Sequence, residues 1–192
     1  ESRQRHYVQL MQHASENLLA ILNDSLDFSK MEAGQLTLDS APLDLRSLVE
    51  ESVSAFAGVA HQQNLELVLD LQLARLRRVN GDAVRIRQIL LNLINNALKF
   101  TEEGYVLVRV REDEPVDPDQ PARVRFEVHD SGAGVSRDKL AHVFEAFTQE
   151  HQGESRSHGG TGLGLTVCKR LTDLMGGETN AESTLGRGSC SW

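Results

Sequence analysis

The sequence predicts an α/β protein that begins with a long helix standing apart from the rest of the chain. A heptad repeat of apolar residues runs from Tyr7 to Phe28, which is the pattern of a helix that packs against partner helices. A second helical pattern lies between residues 86 and 97, where apolar residues recur at steps of three and four. Apolar and polar residues instead alternate at 65–72, 106–111 and 124–128, which predicts strands.

The composition fits one large domain, or one domain with an appendage, and excludes several classes of function. The chain has 192 residues, of which 40% are hydrophobic, and a net charge of −8, which disfavours non-specific binding of DNA or RNA. The sequence contains no apolar run of about 18 residues, the length that a membrane span requires, and it has no signal peptide at its start. Because Cys168 and Cys190 form no metal-ligand pattern, we expect both to pack as small hydrophobes in a reducing compartment. Glu1 in place of a methionine leads us to expect a piece of a longer protein.

The first helix is predicted to extend from Arg3 to Met31 and to protrude. About 28 residues of helix span about 42 Å, which is too long to wrap a compact domain of this size. A second apolar row widens its face, so the helix needs partner helices, as in a bundle. Gly34 is expected to end it, and the alternative interpretation is a long helix within the core. The heptad seam consists of Tyr7, Met11, Ala14, Leu18, Ile21, Ser25 and Phe28.

The following segment is expected to contain two strands and one helix. Residues 35–38 are a candidate for a short strand, and Pro42 is expected to interrupt the chain. Asp44 is the expected N-cap of a helix with one apolar side. Residues 65–72 then predict a strand with one buried face. The apolar side of the helix consists of Leu45, Leu48, Val49, Ser52, Val53, Phe56 and Ala60.

An amide-rich stripe marks the next helix, which follows Gly81-Asp82 and includes residues 88–101. Opposite its apolar face, polar side chains recur at steps of four, four and three, so they share one face. Asparagine is a poor residue for a helix interior, and Asn92, Asn95 and Asn96 all occur here. Amides ending in a lysine suit a hard cation and an anionic phosphate; the alternative is an ordinary solvated face. The stripe consists of Gln88, Asn92, Asn96 and Lys99.

A carboxylate followed by glycines ends the pair of strands at 106–111 and 124–128. Gly104 precedes the first strand, and the acidic, proline-containing residues 112–122 read as an exposed connector. The second strand runs into Asp130-Ser131-Gly132-Ala133-Gly134. These glycines would let the backbone approach a flat ligand while the carboxylate accepts a hydrogen bond, although an ordinary Asp-Gly turn has the same composition.

The last third of the chain predicts a loop that leads into a glycine-rich helix start. Ser136 is expected to cap a helix with Leu140, Val143, Phe144 and Phe147 on its apolar side. Residues 148–158 are polar without periodicity, as in a lid or a disordered loop. Residues 159–165 contain four glycines before a helix with Val167, Cys168, Leu171, Leu174 and Met175, and free N–H groups at such a start suit phosphate. The segment matches neither a P-loop nor a Rossmann fingerprint. Gly176-Gly177 should stop the helix, and residues 178–192 predict a final hairpin around 185–188.

With these segments in view, nearly the whole chain resembles the sensor histidine kinases of the GHKL superfamily. Five motifs occur in the family's order, and together they are far more specific than any one alone. The text of residues 22–34 resembles the second helix of the family's dimerisation domain, and the wording is closest to hybrid sensor kinases of the BarA, GacS and RetS kind. The motifs are Asn92–Ala97 (N box), Asp130–Gly134 (G1), Phe144–Phe147 (F), Gly160–Leu165 (G2) and Gly186–Ser189 (G3).

The resemblance implies an α/β two-layer sandwich of the Bergerat type, with a mixed sheet on one side and three main helices on the other. Residues 1–34 would be the second dimerisation helix and residues 35–192 the ATP-binding catalytic domain. ATP would lie between the N-box helix and a mobile lid at residues 148–158, and Arg156 would be able to reach a phosphate. The implied ATP-binding residues are Asn92, Asn96, Lys99, Asp130, Gly132, Gly134, Phe144, Phe147, Arg156, Gly160, Thr161, Gly162, Leu163, Gly164 and Leu165.

The resemblance also assigns roles within that set. Asn96 would bind Mg²⁺, Asn92 and Lys99 would face the phosphates as the catalytic groups, and Asp130 would accept the adenine amino group. Related ATPases carry a glutamate at the position of Asn92, where it activates water. Because an amide is no general base, efficient hydrolysis is not expected. Transfer depends more on positioning and charge neutralisation, which this site keeps.

The family's phosphate acceptor, a histidine in a defined motif on the first dimerisation helix, has no counterpart here. None of the histidines has that context, and His13 is expected to be an exposed helix position. The expected function is transfer of the ATP γ-phosphate to a histidine outside this chain. The alternative is a non-phosphorylating module that regulates a partner kinase by helical association; an ATPase is disfavoured. The histidines are His6, His13, His61, His129, His142, His151 and His158.

The resemblance finally implies partners and a location. A response regulator or receiver domain would be one partner, and the helical region would form a homodimer or associate with another histidine kinase. No nucleic acid is expected to bind. The chain would be the cytoplasmic portion of an inner-membrane sensor protein.

Overall fold

The computed structural model describes four long stretches of the chain and several single residues before them. The stretches are residues 25–74, 78–113, 123–145 and 162–192. The single residues are Tyr7, Met11, Ser15, Leu18, Leu19, Leu22 and Asn23, all of them helical.

The four described stretches contain six helices and seven strands, numbered in chain order. The helices are α1 (residues 25–32), α2 (Leu45–Ser54), α3 (Ala57–Gln62), α4 (Ala83–Phe100), α5 (Arg137–Leu140) and α6 (Gly164–Leu174). The strands are β1 (Ala41–Asp44), β2 (Glu66–Gln72), β3 (Arg78–Gly81), β4 (Tyr105–Asp113), β5 (Arg123–Asp130), β6 (Ala181–Thr184) and β7 (Gly188–Ser191).

A mixed sheet of five strands forms one layer of the domain, in the order β2-β4-β5-β7-β6. β2 and β4 are parallel, and the remaining pairs are antiparallel. Val106, Val108 and Val110 of β4 are fully buried because they point from the central strands towards the helical layer. α2, α4 and α6 form that layer and bury their apolar faces against the sheet. The predicted two-layer α/β sandwich with a mixed sheet is therefore confirmed.

The first helix ends where its sequence predicts. α1 is helical up to Glu32, and the N–H groups of Gly34 and Gln35 return to the carbonyl oxygens of Met31 and Lys30, at 3.0 Å and 2.8 Å. Such a pair of bonds satisfies the last carbonyl groups of a helix. The predicted start at Arg3 lies outside the described residues, and the domain division after residue 34 stays a prediction.

The apolar side chains of the first helix that the structure describes are exposed. Tyr7, Met11, Leu18, Leu22 and Leu26 keep between 50% and 62% of their surface accessible. This exposure agrees with the predicted protruding helix. No described helix combines the length and the apolar composition that a membrane span requires.

The prediction of a strand at residues 35–38 is wrong. This segment has no strand partner, and the strand forms at β1, which includes Pro42. β1 pairs antiparallel with β3 in a separate two-stranded ribbon, in which Pro42 lies opposite Asn80. A proline is tolerated there because each strand of a two-stranded ribbon is an edge strand.

The helix predicted over residues 45–60 is interrupted. Asp44 caps α2 as predicted, since its Oδ1 accepts the N–H of Ser47 at 3.1 Å. The chain then turns at Ala55 and Phe56 before α3 begins. The periodicity did not reveal the break because apolar residues of both helices face the same core.

The helix predicted after Ser136 is shorter than expected. α5 ends at Leu140, and turns follow up to Glu145, so Val143 and Phe144 lie outside the helix. Ser136 occupies the N-cap position without a side-chain capping bond. Phe147 lies outside the described residues. The helix predicted after the glycine-rich segment is confirmed as α6, and it stops before Gly176-Gly177 as predicted. The predicted final hairpin is confirmed as the pair of β6 and β7.

The two cysteines occupy different layers. Cys168 is fully buried in the core, as predicted. Cys190 is half-buried on β7, with its Sγ 3.6 Å from His129 Nε2. Burial raises the pKa of the Cys190 thiol to about 11, so it is protonated at neutral pH.

Candidate functional site

Helix α4 carries the amide-rich stripe on the side opposite its buried face. Asp82 caps the helix, since its Oδ1 accepts the N–H of Arg85 at 3.1 Å. The stripe divides into two parts. Gln88 bonds to Asp27 of α1 rather than facing a common site with the other amides. Asn92, Asn96 and Lys99, further along the helix, remain as the candidate site. The buried face consists of Leu90, Leu93, Ile94, Ala97 and Leu98.

Asn92 faces the start of helix α6. A Cβ atom at Gly164 would lie 3.6 Å from both Cγ and Oδ1 of Asn92, so the amide stands directly against the first turn of α6. The Nδ2 atom of Asn92 is buried and has no hydrogen-bond partner among the described residues. A buried donor without a partner costs free energy, about 1–3 kcal/mol. An acceptor atom of a ligand at this place would remove that cost.

The first turn of α6 has no side-chain cap from the described residues. Leu163 at the N-cap position supplies no side-chain capping bond, whereas α2 and α4 are both capped by aspartates. The N–H groups of a helix start and the positive end of its dipole attract negative charge. Thr166, in the same turn, is buried, and its Oγ1 has no partner among the described residues. Together with Asn92, this turn offers several donors and no carboxylate.

Lys99 ends the stripe near the last turn of α4. Its Nζ lies 4.9 Å from the centre of the Phe100 ring. Loss of hydration on burial lowers the pKa of the Lys99 ammonium. Asn96, one turn earlier, is half-buried, while its neighbour Asn95 is exposed. Only Asn96 of these two amides therefore belongs to the stripe.

Asp130 occupies the end of strand β5. Its Oδ1 accepts the N–H of Gly132 at 2.9 Å, and the N–H and hydroxyl of Ser189 also favour its charged form, while the Ser189 hydroxyl lies 3.0 Å from that of Ser183. Burial raises the pKa of Asp130, and these hydrogen bonds partly oppose the increase because they favour the charged form. Asp130 is thus a half-buried carboxylate that is oriented by neighbouring strands.

The glycines after Asp130 permit close backbone approaches. A Cβ atom at Gly132 would overlap the carbonyl oxygen of Phe100, and one at Gly134 would overlap that of Thr184. The N–H of Ala133 donates to the carbonyl of Phe100 at 3.4 Å. The turn after Asp130 is therefore hydrogen-bonded to the last residue of α4. Asp130 thus lies near the helix that carries the amide stripe.

The structure places most of the sequence-predicted site residues along α4 and around it. Asn92, Gly162, Leu163, Gly164 and Leu165 lie where α4 meets α6. Asp130, Gly132 and Gly134 lie at the end of β5, while Phe144 is half-buried in the turns after α5. Phe147, Arg156, Gly160, Thr161 and the predicted lid at residues 148–158 lie outside the described residues.

Sequence reasoning missed two polar residues of this region, Thr166 and Ser189. Ser189 follows the Gly186-Arg187-Gly188 turn, and its link to Asp130 arises from the pairing of β5 with β7. Ser189 had a signal, because it ends the Gly186–Ser189 motif, but no role of its own was predicted for it. Thr166 had a weaker signal, since a threonine in a helix is ordinary.

Replacing Ser189 by alanine is expected to raise the pKa of Asp130 further. The variant loses a hydroxyl that favours the charged form of the carboxylate, and its loss makes protonation easier. A carboxyl-carbon NMR titration of Asp130 measures the change. Ser191→Ala is the matched control, because Ser191 lies on the same strand opposite Val128. An Asp130 pKa that stays constant or falls in Ser189→Ala would contradict this assignment.

The polar groups around the stripe favour a metal ion that is coordinated mainly by phosphate and water and only weakly by the protein. The described residues contain no group of three or more histidine, cysteine, aspartate or glutamate side chains placed to hold a metal ion. Mg²⁺ often takes only one or two protein oxygens and completes its shell with phosphate and water. The amide oxygen of Asn96, one turn after Asn92 on α4, fits that pattern.

Comparison with protein families and curated relatives agrees with this geometry. The profile of the histidine kinase-, DNA gyrase B- and HSP90-like ATPase family matches residues 81–192. Sensor protein GacS of Pseudomonas syringae pv. syringae is 44% identical over 191 residues, which cover 99% of this chain and 21% of that protein. Signal transduction histidine-protein kinase BarA of Escherichia coli strain K12 is 39% identical over 189 residues, which cover 98% of this chain and 20% of that protein. The chain thus spans about a fifth of the length of these relatives.

Solved structures agree with the same fold. Full-length ShkA in complex with AMPPNP has a TM-score of 0.80 and 35% identity, covering 99% of this chain and 38% of that chain. Acinetobacter baumannii histidine kinase AdeS has a TM-score of 0.73 at 22% identity, covering 96% of this chain and 81% of that chain, which supports the fold alone. The chain belongs to the histidine kinase-, DNA gyrase B- and HSP90-like ATPase family and contains an ATP-binding domain of the sensor histidine kinase kind.

Proposed function

We propose that this chain binds ATP with Mg²⁺ and presents the γ-phosphate for transfer to a histidine on a dimerisation helix outside the chain. The observation that carries the proposal is the buried Nδ2 of Asn92, which has no hydrogen-bond partner in the described part of the chain and faces the first turn of α6. Phosphate oxygens would accept hydrogen bonds from Asn92 and from the first N–H groups of α6. ShkA, a relative by structure, was solved with AMPPNP.

Different groups around the C-terminal half of α4 would recognise the adenine and the phosphates of ATP. Asp130 would accept the adenine amino group, since it is a half-buried carboxylate held by Gly132 and Ser189. Gly132 and Gly134 would shape the adenine pocket. Lys99 would attract the phosphates, and burial would increase the strength of that attraction because water screens it less.

Asn96 would be the protein ligand of the magnesium ion. The ion, when bound, supplies neutralisation of phosphate charge. A single amide oxygen from the chain is compatible with that role, since the phosphates and water would complete the coordination. Asn96 would thus orient the phosphates that Asn92 and α6 hold.

Transfer to another group is favoured over hydrolysis by the identity of Asn92. An amide cannot accept the proton of an attacking water, so the chain would lack a general base at this position. Rapid release of inorganic phosphate from ATP by this chain alone would contradict the proposal. None of the histidines lies in an acceptor motif, so this chain would not phosphorylate itself.

Replacing Asn96 by alanine tests the metal role. We expect AMPPNP affinity in the presence of Mg²⁺ to fall roughly tenfold to a hundredfold, because a charge-assisted contact is worth about 1.5–3 kcal/mol. In excess EDTA the variant and the natural chain should bind equally. Isothermal titration calorimetry under both conditions measures this difference.

Asn95→Ala is the matched control for that experiment, because Asn95 is the exposed neighbour on the same helix. It should bind AMPPNP like the natural chain under both conditions. An equal loss in both variants, or a loss that persists in EDTA, would reject Asn96 as the magnesium ligand.

A second candidate function is regulation of a partner kinase without phosphorylation. The observation in its favour is the exposed apolar face of the first helix, where Tyr7, Met11, Leu18 and Leu22 are all at least half accessible. Such a face suits association with helices of another kinase. The two functions differ in one result: a purified chain that joins a partner kinase but fails to bind AMPPNP would favour regulation.

The wider organisation is proposed on the same basis. Residues 1–34 would be the second dimerisation helix and residues 35–192 the ATP-binding catalytic domain. The helical region would form a homodimer or pair with another histidine kinase, and a response regulator or receiver domain would receive the phosphoryl group. The parent protein would be an inner-membrane sensor with this portion on the cytoplasmic side.

A further inference from the structure

Three polar side chains join helix α1 to helix α4. Arg85 Nη1 lies 2.7 Å from Asp27 Oδ2, and Gln88 Nε2 donates to the same oxygen at 2.9 Å. Arg85 Nη1 also donates to Gln88 Oε1 at 2.8 Å, which closes a triangle of contacts. We call these three residues the polar junction.

The polar junction is largely shielded from water. The side chains of Arg85 and Asp27 keep only 21% and 14% of their surface accessible. A second ion pair of the first helix, between Glu32 of α1 and Arg170 of α6, is also short at 2.8 Å, but its side chains are 51% and 53% accessible. Exposed pairs contribute little because water screens them, whereas a shielded, hydrogen-bonded pair is costly to break from one side. The junction is therefore the stronger of the two ionic connections.

The chain that leaves α1 returns to the same end of α4. Asp82 is buried and uses its two carboxylate oxygens separately. Oδ1 caps α4 through the N–H of Arg85 at 3.1 Å, and Oδ2 accepts the N–H of Asp39 at 3.0 Å. The linker and the helix are thus fixed at the point from which the side chain of Arg85 reaches Asp27. This arrangement limits how α1 can tilt.

We propose that the polar junction sets the orientation of α1 on the ATP-binding domain and that Arg85 is its positioning residue. Gln88 and Asn92 are four residues apart, so the junction and the nucleotide site lie along one face of the same helix. From Arg85 to Asn96 the axial distance along α4 is about 16 Å. Because α4 is one rigid helix, the orientation of α1 would determine where the phosphates of bound ATP lie relative to α1. The consequence for phosphoryl transfer rests on the proposed function, but the positioning of α1 does not.

Hydrogen exchange tests the junction without any nucleotide. We expect Asp27→Ala to increase amide exchange over residues 29–39 about tenfold, because the end of α1 and the linker lose their shielded contact with α4. Arg85→Ala should have the same effect. Since the two side chains act through one contact, the double variant should exchange no faster than either single variant. Exchange in the buried part of α4 should not change in Asp27→Ala, which reports that the domain remains folded.

Glu32→Ala is the matched control, since it removes the exposed ion pair from the same helix. Its exchange should stay within about threefold of the natural chain, as expected for a contact worth well under 1 kcal/mol. Unchanged exchange in Asp27→Ala would overturn the proposal, as would a double variant whose increase is the product of both single increases. AMPPNP binding measured in parallel decides the proposed function independently, because failure to bind leaves the exchange result unaffected.

Discussion

Asp130→Asn is expected to weaken AMPPNP binding about a hundredfold while leaving the folded domain at least as stable as the natural chain. Asparagine preserves the shape of the side chain but removes the charge that would accept the adenine amino group. Hydrogen bonds to charged groups contribute about 1.5–3 kcal/mol, and a hundredfold change corresponds to about 2.7 kcal/mol. Calorimetric titration measures the affinity, and urea denaturation measures the stability.

The expected stability follows from the direction of the pKa shift. Burial raises the pKa of Asp130 in the folded state, so ionisation of this carboxyl favours the unfolded chain. The cost is absent below the unfolded pKa, grows as the pH rises through the folded pKa, and is complete above it. At neutral pH, Asp130→Asn removes that cost. AMPPNP affinity of the natural chain should conversely fall as the pH drops through the raised pKa, because the acceptor becomes protonated.

Asp70→Asn is the control for this prediction. Asp70 is also an aspartate of the main sheet, but it lies on β2 and pairs with Arg109 at 2.8 Å, away from the nucleotide site. Its pKa is lowered, first by the hydrogen bond from Arg109. We expect its replacement to leave AMPPNP affinity unchanged. Equal effects of the two substitutions, or unchanged affinity in Asp130→Asn, would show that Asp130 does not recognise the nucleotide.

Elements with strong periodicity could be predicted from the sequence, whereas elements defined by distant pairing could not. Helix α4 and strand β4 each have a buried face that repeats with the period of the element, so their types followed directly. β3 contains a single apolar residue, Val79, and exists because its backbone pairs with β1. The break between α2 and α3 leaves the apolar pattern unchanged. Neither feature has a local signal in the chain.

The candidate site shows the same division. Asp130 was predictable because a carboxylate at the end of a strand, followed by glycines, has a limited set of uses. Its partner Ser189 depends on the register of β5 with β7, which no local pattern specifies. The stripe on α4 was predicted as one face, but the side chain of Gln88 turns to Asp27, a residue of another helix. Periodicity indicates which side chains share a face and does not indicate what each of them contacts.

Gly188→Ala is expected to destabilise the domain by about 4 kcal/mol, because this glycine meets two separate restrictions. Its φ is +90°, which an L-residue with a side chain adopts only with strain of about 1–3 kcal/mol. A Cβ atom there would also overlap the carbonyl oxygen of Asp130, and overpacking of a close approach costs about 1–3 kcal/mol more. Because a backbone atom blocks the space, the conflict cannot be relieved by a rotamer change.

Two other glycines separate these contributions. Gly176 has a φ of +72° and open space around it, so Gly176→Ala should cost only the backbone strain. Gly58 lies within α3 without a positive φ and with nothing within 4 Å of an added Cβ. Gly58→Ala should therefore stabilise the chain by up to about 1 kcal/mol, because alanine is the better helix former. Urea denaturation of the three variants gives the order directly.

The consequence of Gly188→Ala extends to the site, since the atom that it displaces belongs to Asp130. Chains that still fold should hold Asp130 and the β5–β7 pairing in a shifted position, so their AMPPNP affinity should fall as well. Gly176→Ala should retain full affinity, because Gly176 follows α6 at the end remote from its first turn. A Gly188→Ala variant as stable as Gly176→Ala would mean that strand β7 can move away from Asp130 without cost. In that case Ser189 could not hold the carboxylate in place, and the orientation of Asp130 would have to come from Gly132 alone.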